Sequence, residues 1–107
     1  MTNLERLDFC GNNTQITGDI SNFSTCTSLK TINVWGSKIY GNISVFGNLP
    51  NFTGMIVAQT QVSGDISSLT NNPLINWIDA GHLPNLTGSV NSLAKLTGLQ
   101  YLTVNKP

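Results

Sequence analysis

Charge is what this sequence has least of. Only 9% of its 107 residues are Asp, Glu, Lys or Arg, against about 25% in an average protein. Five basic residues balance five acidic ones and the net charge is zero. No Lys/Arg run or basic patch is present, so the phosphate-neutralising contacts of a nucleic-acid binder are missing and no nucleic-acid partner is expected. Long apolar runs are absent too. None approaches the roughly 18 residues of a membrane-crossing helix, and no membrane insertion is expected. The opening stretch MTNLERLDFC places Glu5, Arg6 and Asp8 where a secretion signal needs an apolar core. Export of this chain would then rely on a removed signal, another chain, lysis or particle assembly. The sequence has one histidine and two cysteines. Cys10 and Cys26 lack metal-site spacing and are expected to be free thiols. His82 stands near Asp79 with no nucleophile motif beside it and is expected to be a solvated loop residue. Asp19 and Asp65 are too far apart along the chain for a carboxylate pair, at about 10 Å across two strand spacings, and suit turn capping better. No catalytic, metal or cofactor set emerges, so the expectation is a non-enzyme without cofactor.

What is there is repetition. GDIS occurs at Gly18–Ser21 and at Gly64–Ser67, with GNIS at Gly41–Ser44 between them and GSVN at Gly88–Asn91 after them. The motif glycines are separated by steps of 23, 23 and 24 residues. Apolar residues recur in phase at +2, +5, +8, +11, +14 and +16 from each glycine. In the first repeat these are Ile20, Phe23, Cys26, Leu29, Ile32 and Val34; Asn72 is the one polar residue in the whole set. A fixed period of this size marks stacked supersecondary units, each too small to bury its own apolar side. The steps of three suit turns or 3₁₀ segments, and the closing step of two is the alternation of a strand. Strands one period apart should therefore pair in parallel register. The glycine, following the strand, is expected to supply a turn. The chain divides as one domain into a partial unit 1–15 and repeats 16–38, 39–61, 62–85 and 86–107.

The segments LKTINVWGSKIYG and FTGMIVAQTQVSG carry the pattern LxxLxLxxNxLxG, which resembles the leucine-rich-repeat family. The apolar continuation beyond the glycine is similar to the plant-type subclass, a pattern also found in bacterial and phage-encoded repeats. The resemblance implies an α/β-class solenoid with a parallel β-sheet on its concave face, a convex side rich in 3₁₀ segments and turns, and little or no α-helix. The chain departs from the pattern in places. Ser21, Ser44, Ser67 and Asn91 replace the expected proline, and the turn asparagine, present as Asn12, becomes Ser37 and Thr60. These hydroxyls are still able to bond neighbouring backbone.

In such a solenoid three rows point outward from the strands. The first is Arg6, Thr31, Gly54, Trp77 and Tyr101; the second is Asp8, Asn33, Ile56, Asp79 and Thr103; the third is Cys10, Trp35, Ala58, Gly81 and Asn105. Both tryptophans and one of the two tyrosines fall on this face. Flat apolar rings beside hydrogen-bonding groups suit a sugar ring or an extended peptide; alternatively, the rings pack on one another as cross-strand pairs. Asp8, Asn33, Trp35, Ile56, Trp77, Asp79 and Tyr101 are the candidate ligand-binding residues, and the partner is a protein or a carbohydrate. The low charge, with Asn, Ser, Thr and Gly covering the surface, favours an extracellular, cell-surface or particle-surface position.

The expected function is recognition or adhesion, similar to surface adhesins and phage receptor-binding proteins. The alternative starts from the ends. No polar cap is apparent beyond Leu4, Leu7 and Phe9 or beyond Leu99, Leu102 and Val104. The chain would then be a fragment, or a structural protein that stacks head-to-tail or docks into a filament or phage particle. Sequons at Asn12, Asn22, Asn42, Asn51 and Asn85 matter only in a glycosylating secretory pathway.

Overall fold

The computed structural model describes residues 2–9 and 15–104. Among the described residues, nine short strands form two parallel sheets. Strands β1 (Arg6–Asp8), β3 (Thr31–Asn33), β5 (Gly54–Ile56), β7 (Trp77–Ala80) and β9 (Tyr101–Val104) make the first, in that spatial order. Strands β2 (Thr17–Asp19), β4 (Lys38–Asn42), β6 (Gln61–Asp65) and β8 (Leu86–Thr87) make the second. Between the second sheet and the next strand of the first, the chain returns through 3₁₀ segments at Ile20–Phe23, Ile66–Asn71 and Val90–Lys95. In the second repeat that place is taken by a single α-helical turn, α1 (Ser44–Gly47). The solenoid expected from the repeat is thus the observed architecture, with parallel strands, 3₁₀ returns and almost no α-helix.

The register follows the apolar phase. Leu7, Ile32, Met55, Ile78 and Leu102 are successive partners across the first sheet, and Asp8, Asn33, Ile56, Asp79 and Thr103 form the neighbouring row. Ile32, Met55 and Ile78 are buried, as are Val34, Val57 and Ala80 two residues on. Ile20, Ile43 and Ile66 anchor the return segments in the same core. Phe46 and Phe52 stack there at 4.7 Å between ring centroids. Each fully buried side chain of this size contributes about 1.5–3 kcal/mol relative to exposure. Cys26 is a buried free thiol. Cys10, Asn12 and Asn105 lie outside the described residues, so the expectations attached to them are not carried further.

The second sheet changes how the glycine is understood. Gly41 and Gly64 do not form turns after a strand; they sit inside β4 and β6, with φ of +117° and +115°. A β-carbon on Gly41 would come within 2.6 Å of Asp19 Oδ1, and one on Gly64 would collide with the Asn42 carboxamide. Gly41, Gly64 and Gly88 therefore each make room for the polar side chain that follows the glycine in the previous repeat. That side chain has its own task. Asp19 Oδ1 accepts from Ser21 N–H at 2.9 Å, Asn42 Oδ1 from Ser44 N–H at 2.9 Å, and Asp65 Oδ1 from Ser67 N–H at 2.8 Å. In the fourth repeat Ser89 Oγ accepts from Asn91 N–H at 3.1 Å. Each bond starts a return segment by satisfying an N–H that helical geometry leaves free. Asp19 and Asp65 are thus capping residues, as expected.

The Ser67 N–H, followed by the Ser67 side chain, holds the Asp65 carboxyl below the usual carboxylate range, against a smaller opposing effect of desolvation. A folded-state value below the unfolded one means that the stabilisation is complete above the ordinary carboxylate range. It fades as pH falls through the depressed value. Carboxyl-carbon NMR should show Asp65 titrating at lower pH in the folded protein than in the urea-unfolded chain. Equal midpoints in the two states would show that the bond does not favour the anion.

At the turn that leaves the first sheet, Ser37 Oγ donates to Val34 O at 2.7 Å and Thr60 Oγ1 donates to Val57 O at 2.6 Å, both buried. These hydroxyls replace the family's asparagine by bonding backbone three residues earlier, as their chemistry suggested. Leu83 occupies the equivalent place in the third repeat and is fully buried. Asn72 stands in an apolar phase and is buried at 4% exposure. Its Nδ2 reaches the carbonyl oxygens of Phe46 (3.4 Å), Leu49 (2.9 Å) and Phe52 (3.0 Å), and its Oδ1 accepts from Leu74 N–H at 3.1 Å.

Candidate functional site

The outward face of the five-stranded sheet is uneven. Gly54, in β5, has no side chain between Thr31 and Trp77, and the row is open there. The opening forms a shallow groove of about 290 Å³, with Arg6 at one end, Trp77 at the other and Asn33 and Ile56 along its side. The strands approach closely beside it: a β-carbon on Gly54 would stand 3.2 Å from Trp77 Cβ.

Trp77 also meets Tyr101, its register partner on β9. The rings stack with centroids 4.3 Å apart and planes 14° from parallel. Stacking does not hide them, since Trp77 remains 41% and Tyr101 38% exposed. The pair is a cross-strand stack and an exposed aromatic platform together; the two readings of these rings are not exclusive.

Trp35 is elsewhere. It lies just beyond β3, while Trp77 opens β7 at the other end of the strands, so the two indoles do not share a patch. Trp35 lines a second trough, of about 360 Å³, with Asp79, Gln59, His82 and Thr103. Ala58 and Gly81 lie in its floor and are buried. The backbone ladder continues under this trough past the ends of the strands. Val34 N–H donates to Ile56 O at 2.9 Å, Gly36 N–H to Ala58 O at 3.1 Å and Gln59 N–H to Gly81 O at 3.1 Å. Asn33 has a structural role here, because its Oδ1 accepts from Trp35 N–H at 3.3 Å and shapes the approach to the indole.

The seven candidate residues thus fall into separate groups. Asn33, Ile56 and Trp77 line the first groove, Trp35 and Asp79 the second, and Tyr101 backs Trp77. Asp8 is exposed on β1, opposite Asn33, and lines neither. Gln59 and His82 were not among the candidates, although both border the second trough. The solvated histidine expected from sequence is indeed exposed, but it stands beside Trp35 and Asp79 rather than in open loop. A signal for both was present: in register they fall where the first repeat has Gly36. Among the described residues, no group of three or more His, Cys, Asp or Glu is placed to hold a metal ion. No helix among them is long and apolar enough to cross a membrane.

Stacked repeats with a parallel inner sheet and an open outward face define a class of interaction scaffold. Residues 2–51 match the family model described as leucine-rich repeats in two copies, and the chain has the fold of a leucine-rich-repeat solenoid. Among solved structures it is similar to an internalin of Listeria monocytogenes (inlF), at 15% identity and a TM-score of 0.57, with 98% of this chain and 43% of that one covered. It is also similar to the Arabidopsis receptor kinase HAESA, solved in complex with the peptide hormone IDA and the co-receptor SERK1. That match has 20% identity, a TM-score of 0.57, and covers 94% of this chain and 22% of the other. A third similar structure is internalin C2 of Listeria monocytogenes, at 17% identity and a TM-score of 0.55, covering 94% of this chain and 52% of that one. The chain thus spans about half or less of the length of each of these proteins. The likeness is one of fold. No curated protein sequence matches the chain.

Proposed function

We propose that the chain is a non-enzymatic recognition module that holds an extended segment of a partner protein on its outward sheet face. The observation that carries this reading is the Trp77–Tyr101 platform, two stacked rings left exposed beside a groove that Gly54 keeps open. Exposed aromatic anchors next to a pocket are the usual energetic centres of protein interfaces. The groove edges offer the Asn33 and Asn76 carboxamides and the Arg6 guanidinium, which suit backbone carbonyls of a peptide. A surface with little charge and many hydroxyls and amides fits an extracellular or surface-exposed position. The peptide hormone of HAESA belongs to that protein; it illustrates that the fold is compatible with such a ligand.

The test is a random-peptide display library panned on the immobilised protein. Selected peptides should carry an aromatic or branched apolar anchor, and Trp77→Ala should weaken them about 30-fold or more. Binders indifferent to both Trp77→Ala and Tyr101→Ala would place the protein site elsewhere.

A second reading, self-assembly, is favoured by one observation. Among the described residues, Leu102 lies in the inward-facing row yet is 38% exposed on β9, which pairs there with β7 alone, and Val90 in the same repeat is 49% exposed. Light scattering at high concentration decides it: a strict monomer removes this reading.

A further inference from the structure

We infer that the trough beside Trp35 is a separate saccharide subsite, sized for two pyranose rings, apart from the protein-binding face around Trp77. The trough runs across the strands. From Trp35 at the β3 end to Thr103 on β9 is three strand spacings, about 14 Å, and two pyranose rings fit that length. Its floor is Ala58 and Gly81, two small buried residues where Trp35 stands in the preceding repeat. A flat ring can therefore lie against the indole and meet nothing larger than the Ala58 methyl beneath it.

The polar groups match hydroxyls better than they match a cation. The trough offers the Asp79 carboxylate, the Gln59 carboxamide, the His82 imidazole and the Thr103 hydroxyl. This is a mixture of donors and acceptors, and sugar hydroxyls serve as both. A cationic side chain would want several carboxylates or an aromatic cage. Here there is one carboxylate, one indole and an imidazole.

The backbone supplies an independent observation. Gly36, Gln59 and His82 are equivalent turn positions in three successive repeats, and all are left-handed, with φ of +74°, +59° and +59°. Glycine occupies such a conformation at no steric cost; glutamine and histidine do not. Two large polar side chains are thus held at strained positions on the rim of the one trough that contains Trp35. Strain of this kind gathers where a side chain serves a ligand.

The experiment uses the intact protein and a panel of four probes: maltose, cellobiose, lactose and N,N′-diacetylchitobiose. Each is titrated to about 20 mM, the range in which weak saccharide binding is read, while amide NMR shifts and tryptophan fluorescence are followed. At least one disaccharide should shift the amides of Trp35, Ala58 and Gly81. Trp35→Ala and Asp79→Asn should each weaken it about tenfold or more, whereas Trp77→Ala should leave it unchanged. Gln59→Gly and His82→Gly separate this role from a structural one: both should weaken the sugar while leaving the melting temperature equal or higher. The inference is overturned by any of three results: no shift with any probe, shifts centred on Trp77 and Tyr101, or a trough filled by an oligo-arginine peptide and not by sugar. Loss of display-selected peptides in Trp77→Ala, with sugar binding intact, would bear on the protein site alone.

Discussion

Asn72→Leu should destabilise the protein by roughly 2–4 kcal/mol, although leucine is what the same phase carries at Leu49 and Leu96. By the logic of the repeat, the substitution restores the pattern and adds apolar burial. The structure reverses that expectation. The Asn72 carboxamide sits at 4% exposure and directs its NH₂ at the carbonyls of Phe46, Leu49 and Phe52. Phe46 and Phe52 are fully buried, so water has poor access to those oxygens once the amide is gone. The N–H of Leu74 loses its acceptor at the same time. Asn72→Asp should be worse still, because it points a charge at three carbonyl oxygens. Urea denaturation of the three proteins, with m-values compared to confirm two-state unfolding, measures the differences. If the leucine variant matched the parent, packing would outweigh the hydrogen bonds here.

Gly64→Ala is expected to cost about 3 kcal/mol, combining a backbone conformation at φ +115° that alanine adopts poorly with overpacking of one methyl. The methyl would strike the Asn42 carboxamide, and that group caps the start of α1 through Ser44 N–H. The damage should therefore spread to the preceding repeat. Thermal melts would show the drop, and amide exchange at Ser44 would rise. Gly98→Ala is the control: a β-carbon there meets nothing within 4 Å, and the change should stay within about 0.5 kcal/mol. Equal melting temperatures for the two variants would mean that the second sheet yields to the methyl without cost.

The contrast between Asn72 and the rest of its row shows where sequence reasoning stops. The strand register was legible because Ile32, Met55 and Ile78 recur at one phase and alternate with outward residues, which places Trp77 beside Tyr101. That the two rings stack is a matter of rotamers and does not follow from spacing. The second sheet was hidden. Its strands are two to five residues long, carry glycine inside β2, β4 and β6, and in KIYGN and QVSGD bury a single apolar residue each, Ile39 and Val62. Such segments look like punctuation, and their hydrogen bonds go to a chain more than twenty residues away. Asn72 looked like a lapse in an apolar series, because its three acceptors are backbone atoms of another repeat. Gln59 and His82 belong to no periodic row; only alignment with Gly36 shows that they hold a glycine's position.

The Trp77–Tyr101 stack also bears on the affinity that the proposed site can reach. A solitary exposed tryptophan samples several rotamers, and binding must freeze them, at about 0.5–1.5 kcal/mol per immobilised side chain. Here each ring already restrains the other from a neighbouring strand, so part of that entropy is lost during folding. A partner docking there, as proposed, would meet a surface already in its bound shape, and association would require little rearrangement on this side of the interface.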